Sequence, residues 1–377
     1  PPAPIPSATP SPTAPAMEGP RPIAFVADPN HDGNDDLFTI EPGSGHRPHQ
    51  LTNTSALTKP FKVHLDGAEW SPRGDRIAFL SNETGYVEAF SMAADAKDKV
   101  QLSSIGPGHK QIEWRRDASA LLMEWTDPKV ISSTQQSLRQ VYRLAPAMAG
   151  VTPITSSPEN LWNPSWSPDG GWIVFVWQKD AADGVPRNAQ IYVMNERGEL
   201  RRLIAGDITP TSSWNQAPSW SPDGSQIAFS SNYNSLNHLD VVPVTRQVDA
   251  LTFGPRHTIA TGNADDQAAR WSPDGSRVAI VLDGSPAGLS ADDRRRYYDI
   301  AILNADGSGL VQVTDNNVYD GHVTWSPRGD AIAFESGAWV PGDGPSAVDE
   351  RQIWRSDLDG NAVPLTTAGG HGPSWGW

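Results

Sequence analysis

The densest chemistry in the chain is the acidic run Asp28-Pro29-Asn30-His31-Asp32-Gly33-Asn34-Asp35-Asp36. Side-chain oxygens stand at positions 1, 3, 5 and 9 (Asp28, Asn30, Asp32 and Asp36), and Gly33 at position 6 permits a sharp turn. Hard oxygen ligands at that spacing wrap around Ca2+, so calcium is the cofactor expected here. The same residues would also make an ordinary acidic hairpin loop.

Other chemistries are excluded by what is missing. The chain has no cysteine, so thiol nucleophiles, disulfides and zinc–thiolate sites are ruled out. Ser44, in Pro42-Gly43-Ser44-Gly45-His46, has no base spaced to activate it, and no hydrolase domain flanks the repeats. With 29 basic and 44 acidic residues the net charge is −15, which speaks against a nucleic-acid partner. No run approaches the roughly 18 apolar residues of a membrane span.

The elements that must hold these residues recur along the chain. WSPRGDRIAF begins at Trp70, WRRDASALLM at Trp114, WSPDGGWIVF at Trp166, WSPDGSQIAF at Trp220, WSPDGSRVAI at Trp271 and WSPRGDAIAF at Trp325. The spacings are 44, 52, 54, 51 and 54 residues, and Trp375 follows after 50 more. Each copy reads as a strand ending in Trp, a Ser-Pro-Asp-Gly turn and a second apolar strand. A third strand such as Ile191–Met194 follows, then an Asn-x-x-Gly turn and a short fourth strand near a Leu-Thr pair: Leu51-Thr52, Leu251-Thr252, Val313-Thr314 and Leu365-Thr366. Four antiparallel strands at this period are a propeller blade. Seven second strands can be counted, at Phe25, Phe79, Met123, Phe175, Phe229, Ile280 and Phe334. The expected fold is therefore an all-β, seven-bladed propeller over residues 21–377. Its C-terminal strand should join the N-terminal blade and close the ring. The third copy lacks the Pro and Gly of its turn, so that turn is expected to be irregular.

The pattern WSPDG-x-IAF followed by YVMN and Leu-Thr resembles the TolB-type propeller repeat, shared by the propellers of prolyl-oligopeptidase-like peptidases. The resemblance covers Arg21 to Trp377 and implies fold more than function. The α/β domain that precedes the propeller in TolB is not expected in these residues. The acidic run is similar to the calcium loops of integrin-type propeller repeats, which bridge two strands of a blade. That likeness implies side-chain ligands Asp28, Asn30, Asp32 and Asp36 and the backbone carbonyl of Asn34. It departs from an EF-hand, because Thr39 stands at the place of the closing glutamate.

Strand alternation sorts the loops by face. The Ser-Pro-Asp-Gly and Asn-x-x-Gly turns share one face. The second-to-third strand loops share the other and carry the insertions at 126–138, 179–188, 282–296 and 337–350. Long irregular loops on a rigid frame are where binding concentrates. On that face, residues three to six places before each tryptophan should ring the mouth of the central channel. His64, Asp66, His109, Gln111, Asn160, Asn163, Asn215, Gln216, Asp265, Asp266, Gln267, Asp320, His322 and His371 fall there. His109, His322 and His371, with Gln111, could hold a ligand or a metal; this resembles propeller lyases of pectic oligosaccharides, which hold a metal on channel histidines. Trp125, Trp214 and Trp339 are the tryptophans placed to stack on a sugar, although core or interblade packing explains them better.

The Pro-rich tract at residues 1–20 reads as an extended tail, tethering the protein to the envelope or docking a neighbouring subunit. Residues 290–296 read as a capped helical turn starting at Ser290. The lead expectation is a non-catalytic, extracytoplasmic scaffold (periplasmic, cell-surface or secreted) binding a protein or a surface glycan through the long-loop face. The alternatives are a metal-dependent lyase or hydrolase acting at the channel histidines and a structural subunit of an envelope assembly.

Overall fold

The computed structural model describes residues 21–376, apart from 44, 58, 107, 132–136, 179–188, 200, 206–213, 234–235, 248–249, 262–268, 286–287, 290–296, 338–350 and 368. The Pro-rich tract, the helical turn at Ser290, Trp339, Asp265, Asp266 and Gln267 lie outside the described residues.

Seven antiparallel sheets form the blades. Blade one holds β1 (Ile23–Ala27), β2 (Asp36–Ile40) and β3 (His49–Gln50). Blade two holds β4 (Leu65–Trp70), β5 (Arg76–Ser81), β6 (Glu88–Ala93) and β7 (Val100–Gln101). Blade three runs β8 (His109–Trp114), β9 (Leu121–Ile131), β10 (Ser137–Leu144) and β11 (Val151–Pro153). Blade four runs β12 (Asn160–Trp166), β13 (Trp172–Gln178), β14 (Gln190–Asn195) and β15 (Arg202–Ala205). Blade five has β16 (Trp214–Trp220), β17 (Gln226–Tyr233), β18 (Leu236–Gln247), β19 (Ala250–Phe253) and β20 (His257–Thr261). Blade six has β21 (Arg270–Trp271), β22 (Arg277–Asp283), β23 (Tyr298–Asn304) and β24 (Val311–Gln312). Blade seven has β25 (Tyr319–Trp325), β26 (Ala331–Gly337), β27 (Gln352–Asp357) and β28 (Ala362–Pro364). The last strand, β29 (His371–Trp375), returns to blade one as its innermost strand, with Trp375 opposite Ile23. The expected closure is the one observed.

Each second strand is apolar on both sides because it is packed between blades. Phe79, Phe175 and Phe229 have no exposed surface, and Phe25 and Phe334 have 1%. Truncating such a phenylalanine to alanine costs about 3–5 kcal/mol. The repeated Leu-Thr pair also has a reason. Its threonine hydroxyl accepts the first free N–H of the third strand: Thr52 from Leu37, Thr155 from Val141, Thr314 from Ile300 and Thr366 from Ile353. A buried backbone donor at the loop end is thereby satisfied in blade after blade.

Two details correct the sequence reading. The turn after Trp114 is regular. Ala118 donates to the Arg115 carbonyl at 2.8 Å, and Arg115 to that of Ala120 at 2.8 Å, as Gly224 and Ser221 do in the Trp220 copy. Ala118 takes the left-handed conformation (φ 59°) that glycine holds elsewhere. Asp117 sustains the turn by accepting the Ser119 N–H at 2.9 Å. In blade five, Leu251-Thr252 is not the fourth strand. The third strand β18 continues past Pro243 into an extra hairpin with β19, and β20 pairs with β18 at Asp240↔Thr258, where the fourth strand belongs. The hairpin folds over blade four, where Arg202 donates to the Leu251 carbonyl at 2.6 Å.

Candidate functional site: the channel mouth on the long-loop face

Five innermost strands carry a bulge just before their tryptophan, whereas β8 shifts earlier, between His109 and Gln111. The ladder slips between Asp66 and Glu69, Trp162 and Ser165, Gln216 and Ser219, and Gly321 and Thr324. At the third residue before the tryptophan the chain enters the left-handed region: Gly67 (61°), Asn163 (46°), Ala217 (51°), His322 (47°) and Gly372 (57°). Backbone of this kind in a non-glycine residue costs free energy and collects where a side chain must be re-aimed.

His322 is so re-aimed. Its Nδ1 lies 2.9 Å from Glu335 Oε1, and its side chain is 49% exposed. Glu335, fully buried on β26, also accepts from Arg351 Nη1 at 3.0 Å and from the Gly372 N–H of blade one at 2.7 Å. Burial works to raise the Glu335 carboxyl, but His322, Arg351 and His371 outweigh it and hold the pKa well below the usual range. The Glu335 charge, assisted by Asp66 and opposed by burial, raises His322. With Nδ1 committed to Glu335, Nε2 is the nitrogen left to the channel.

Blade three repeats the device. Glu124 on β9 pairs with Arg139 at 3.3 Å and accepts the Asn163 N–H of the next blade at 3.0 Å. Asn163 donates to Gln111 at 3.2 Å, and its own Oδ1 accepts the Ala217 N–H at 3.4 Å. Gln111, Asn163 and Ala217 thus form a bonded chain along one side of the mouth. On the other side stand His322 and, at two glycine positions, Gly372 and Gly67.

A second ring lies one residue before the tryptophans: Glu69, Glu113, Ser165, Ser219, Arg270, Thr324 and Ser374. Glu113 accepts the Trp166 N–H at 2.9 Å and the Ser165 hydroxyl at 3.2 Å. Desolvation pushes Glu69 up to about 7, against the pull of Arg270. Desolvation and the neighbouring Glu69 push Glu113 up to about 8. Both carboxylates retain some exposure, so they are enclosed by the channel wall without being dry.

The remaining expected residues are distributed as follows. Asn215 is fully buried and donates from Nδ2 to the Ala189 carbonyl at 3.0 Å, and so belongs to its blade. His64 faces blade one, with Nδ1 3.2 Å from Asp35. His371 is 9% exposed beside Gly372. His109 has its place in β8, and its side chain lies outside the described residues. Trp125 is 4% exposed and stacks edge-on against Tyr142, 5.2 Å between ring centres, which is core packing.

In the acidic loop, Asp28 accepts the Asp32 N–H at 3.2 Å and the Gly33 N–H at 2.7 Å. Asp32 accepts the Asn34 N–H at 2.8 Å and Asn30 Nδ2 at 3.1 Å, while Asn34 Oδ1 takes the Val63 N–H at 2.9 Å. Asp36 turns to the fourth strand and accepts from Gln50, Thr52 and the Thr54 N–H at 2.7–2.8 Å. Its position is a repeat feature, since Glu88 and Asp299 receive the corresponding hydroxyls of Ser103 and Thr314. The ammonium of Lys62 meets the Asp32 carbonyl. As folded, then, the loop's carboxylates accept from these protein donors. Among the described residues, no three His, Asp or Glu side chains gather as a metal-binding group.

Glu335, Arg351, Glu124 and Arg139 were missed by the sequence reading. The signal for Glu335 and Glu124 is an acidic residue directly after the second-strand aromatic or Met, where other copies have Val26, Leu80, Val176, Ser230 and Val281.

Comparison with known proteins places the fold. No protein-family model matches the chain. An uncharacterised protein of Agrobacterium fabrum is 25% identical over 228 residues, 58% of this chain and 62% of that relative, so less than two thirds of the relative is covered. Among solved structures, the oligogalacturonate lyase of Vibrio parahaemolyticus is similar at TM-score 0.61 and 14% identity, over 89% of this chain and 86% of that one. TolB from Acinetobacter baumannii is similar at TM-score 0.47 and 16% identity, over 94% and 66%. The chain is a seven-bladed propeller. No helix among the described residues is long and apolar enough to cross a membrane.

Proposed function

We propose that the protein is a non-catalytic, extracytoplasmic binding propeller that takes a protein or surface-glycan partner at the channel mouth of its long-loop face. One observation carries this reading. His322 sits on a strained bulge with Nδ1 fixed by buried Glu335, and so presents Nε2 to the channel at a defined place, a donor when the ring is protonated and an acceptor when it is neutral. Such a preorganised group recognises a polar ligand atom without a reorganisation cost. The neighbouring mouth positions Gly372 and Gly67 carry no side chain, which leaves room for a ligand beside the ring.

The alternative, a metal-dependent lyase or hydrolase, is favoured by the presence of His322 and His371 at one mouth. Against it, the carboxylate nearest them already holds Arg351 and His322 on one oxygen. The test is photo-crosslinking in envelope extract, with the probe placed either at Asp66 in the mouth or at Arg197 on the opposite face. Crosslinks confined to the mouth, and lost in His322→Gln, support the binding reading. Crosslinks confined to Arg197, or a stoichiometric transition metal with turnover of an oligosaccharide, overturn it.

A further inference from the structure

Asp66 and Gly67 form the one Asp–Gly pair, of nine described, in which the glycine N–H is directed at the aspartate's own carboxylate. Gly67 N lies 2.7 Å from Asp66 Oδ1. In the turns the same dipeptide is locked otherwise. Gly170, Gly224, Gly275 and Gly307 donate to the carbonyl three residues back at 2.7–2.9 Å. Their aspartates turn forward: Asp169, Asp223, Asp274 and Asp306 each accept the N–H two residues on, at 2.9–3.0 Å. Gly33 donates to Asp28 at 2.7 Å and Gly284 to Tyr297 at 3.0 Å. Gly360 donates to the Asp357 carbonyl at 3.4 Å, and Asp320 is fully buried and bonded to Asn316 at 2.8 Å.

The bulge is what frees Gly67. The ladder pairs Asp66 with Leu80 and resumes at Glu69, so the Gly67 N–H has no place in it. Gly67 holds φ 61°, the nearest neighbour of an added Cβ would be 3.9 Å away, and Asp66 is exposed. Backbone freedom, water access and proximity of nitrogen to carboxyl therefore coincide at a single pair.

We infer that Asp66 is a site of spontaneous isoaspartate formation, a covalent modification built into the channel mouth. The Gly67 nitrogen gives up its proton to solvent and bonds to Asp66 Cγ, and one carboxyl oxygen leaves as water. Water then adds at the main-chain carbonyl carbon of the resulting succinimide and breaks its bond to Gly67. The chain now runs through Asp66 Cβ and Cγ, one methylene longer, and no electrons are transferred. The lengthened link lies in an innermost strand whose carboxylate acts on His322, so the modification reshapes the mouth without touching the blade cores.

The test is incubation of the full chain at physiological temperature and neutral pH, sampled over weeks. Isoaspartyl methyltransferase labelling and electron-transfer fragmentation are then read peptide by peptide. Label in the Asp66 peptide should rise with time while the Asp223, Asp274 and Asp306 peptides stay at background. In folded Asp66→Glu, whose ring closure is disfavoured, that label should vanish; in Asp66→Asn, deamidation at the same position should outpace it. Absence of label at Asp66, or equal label at the turn pairs of the folded protein, overturns the proposal.

Discussion

Glu335 in blade seven accepts the backbone N–H of Gly372 in blade one at 2.7 Å, across the seam where the two ends of the chain meet. The same carboxylate holds His322 and Arg351, so one buried charge serves both ring closure and the candidate site. Glu335→Ala leaves two cations and a backbone donor without their acceptor and should destabilise the fold by about 3–5 kcal/mol in urea titration. Glu335 is held low, so its contribution is present above its usual 4.5 and fades on acidification below it. His322 is raised, so its contribution is full below its usual 6.5 and is lost as pH rises through its folded pKa. The gap between wild type and Glu335→Gln should therefore be widest between pH 4.5 and 6.5 and should narrow on both sides; a pH-independent gap would refute the linkage.

The channel carboxylates have the opposite sign from Glu335. Glu69 and Glu113 are raised to about 7 and about 8, so ionising them in the folded state costs stability. Their contribution is full below 4.5 and is lost as pH rises through 7 and 8. Glu113→Gln keeps an acceptor for Trp166 and should match wild type near pH 5 but exceed it in melting temperature near pH 9. Parallel melting profiles across that range would count against the buried-carboxylate account.

Ala118 strains the third turn. Ala118→Gly removes a left-handed alanine and should stabilise the protein by about 1 kcal/mol, measured as a shift in denaturant midpoint at constant slope. A loss of stability would mean that the chain entropy gained by glycine outweighs the strain.

Removal of residues 370–377 deletes β29 and exposes the inner edge of β1 to solvent. Aggregation or a markedly lower melting temperature is expected from light scattering and calorimetry, whereas an unchanged cooperative transition would show that the ring does not depend on this seam.

Calcium at the acidic loop would draw on Asp28, Asn30, Asp32 and Asp36, whose side-chain oxygens keep acceptor capacity beyond the donors they already bond. The melting temperature is accordingly expected to rise in millimolar calcium and to fall back in excess chelator, and coinciding curves would refute the site. Were the ion to bind the folded state alone at a hundred times its Kd, the rise would correspond to about 2.7 kcal/mol. A rise that disappears in Asp32→Ala would establish the ligand set suggested by the spacing.

The repeat made the blades and the closure readable, because Trp, Ser-Pro-Asp-Gly and the apolar second strand answer to local turn chemistry and packing. His322 and His371 were legible as candidates for the same reason: register alone aligns them. Glu335 and Arg351 were not, since they sit 13 and 29 residues from His322 and meet it only through cross-strand pairing. Ala118 escaped notice because Asp117 sustains a turn that composition alone would deny. Blade five's outer strand was misassigned because a Leu-Thr pair recurs in a hairpin of ordinary strand composition.

The seam has a mechanical meaning as well. Ile23 pairs with Trp375, so both ends of the folded chain leave blade one from the same edge of an antiparallel pair. Tension applied between the termini would not shear all of those hydrogen bonds together; it would load the Ile23–Trp375 end first and open the pair one bond at a time. A propeller anchored by one end and pulled by the other would yield first at its closure, and the six blades with continuous sheets would bear force only after the ring had opened.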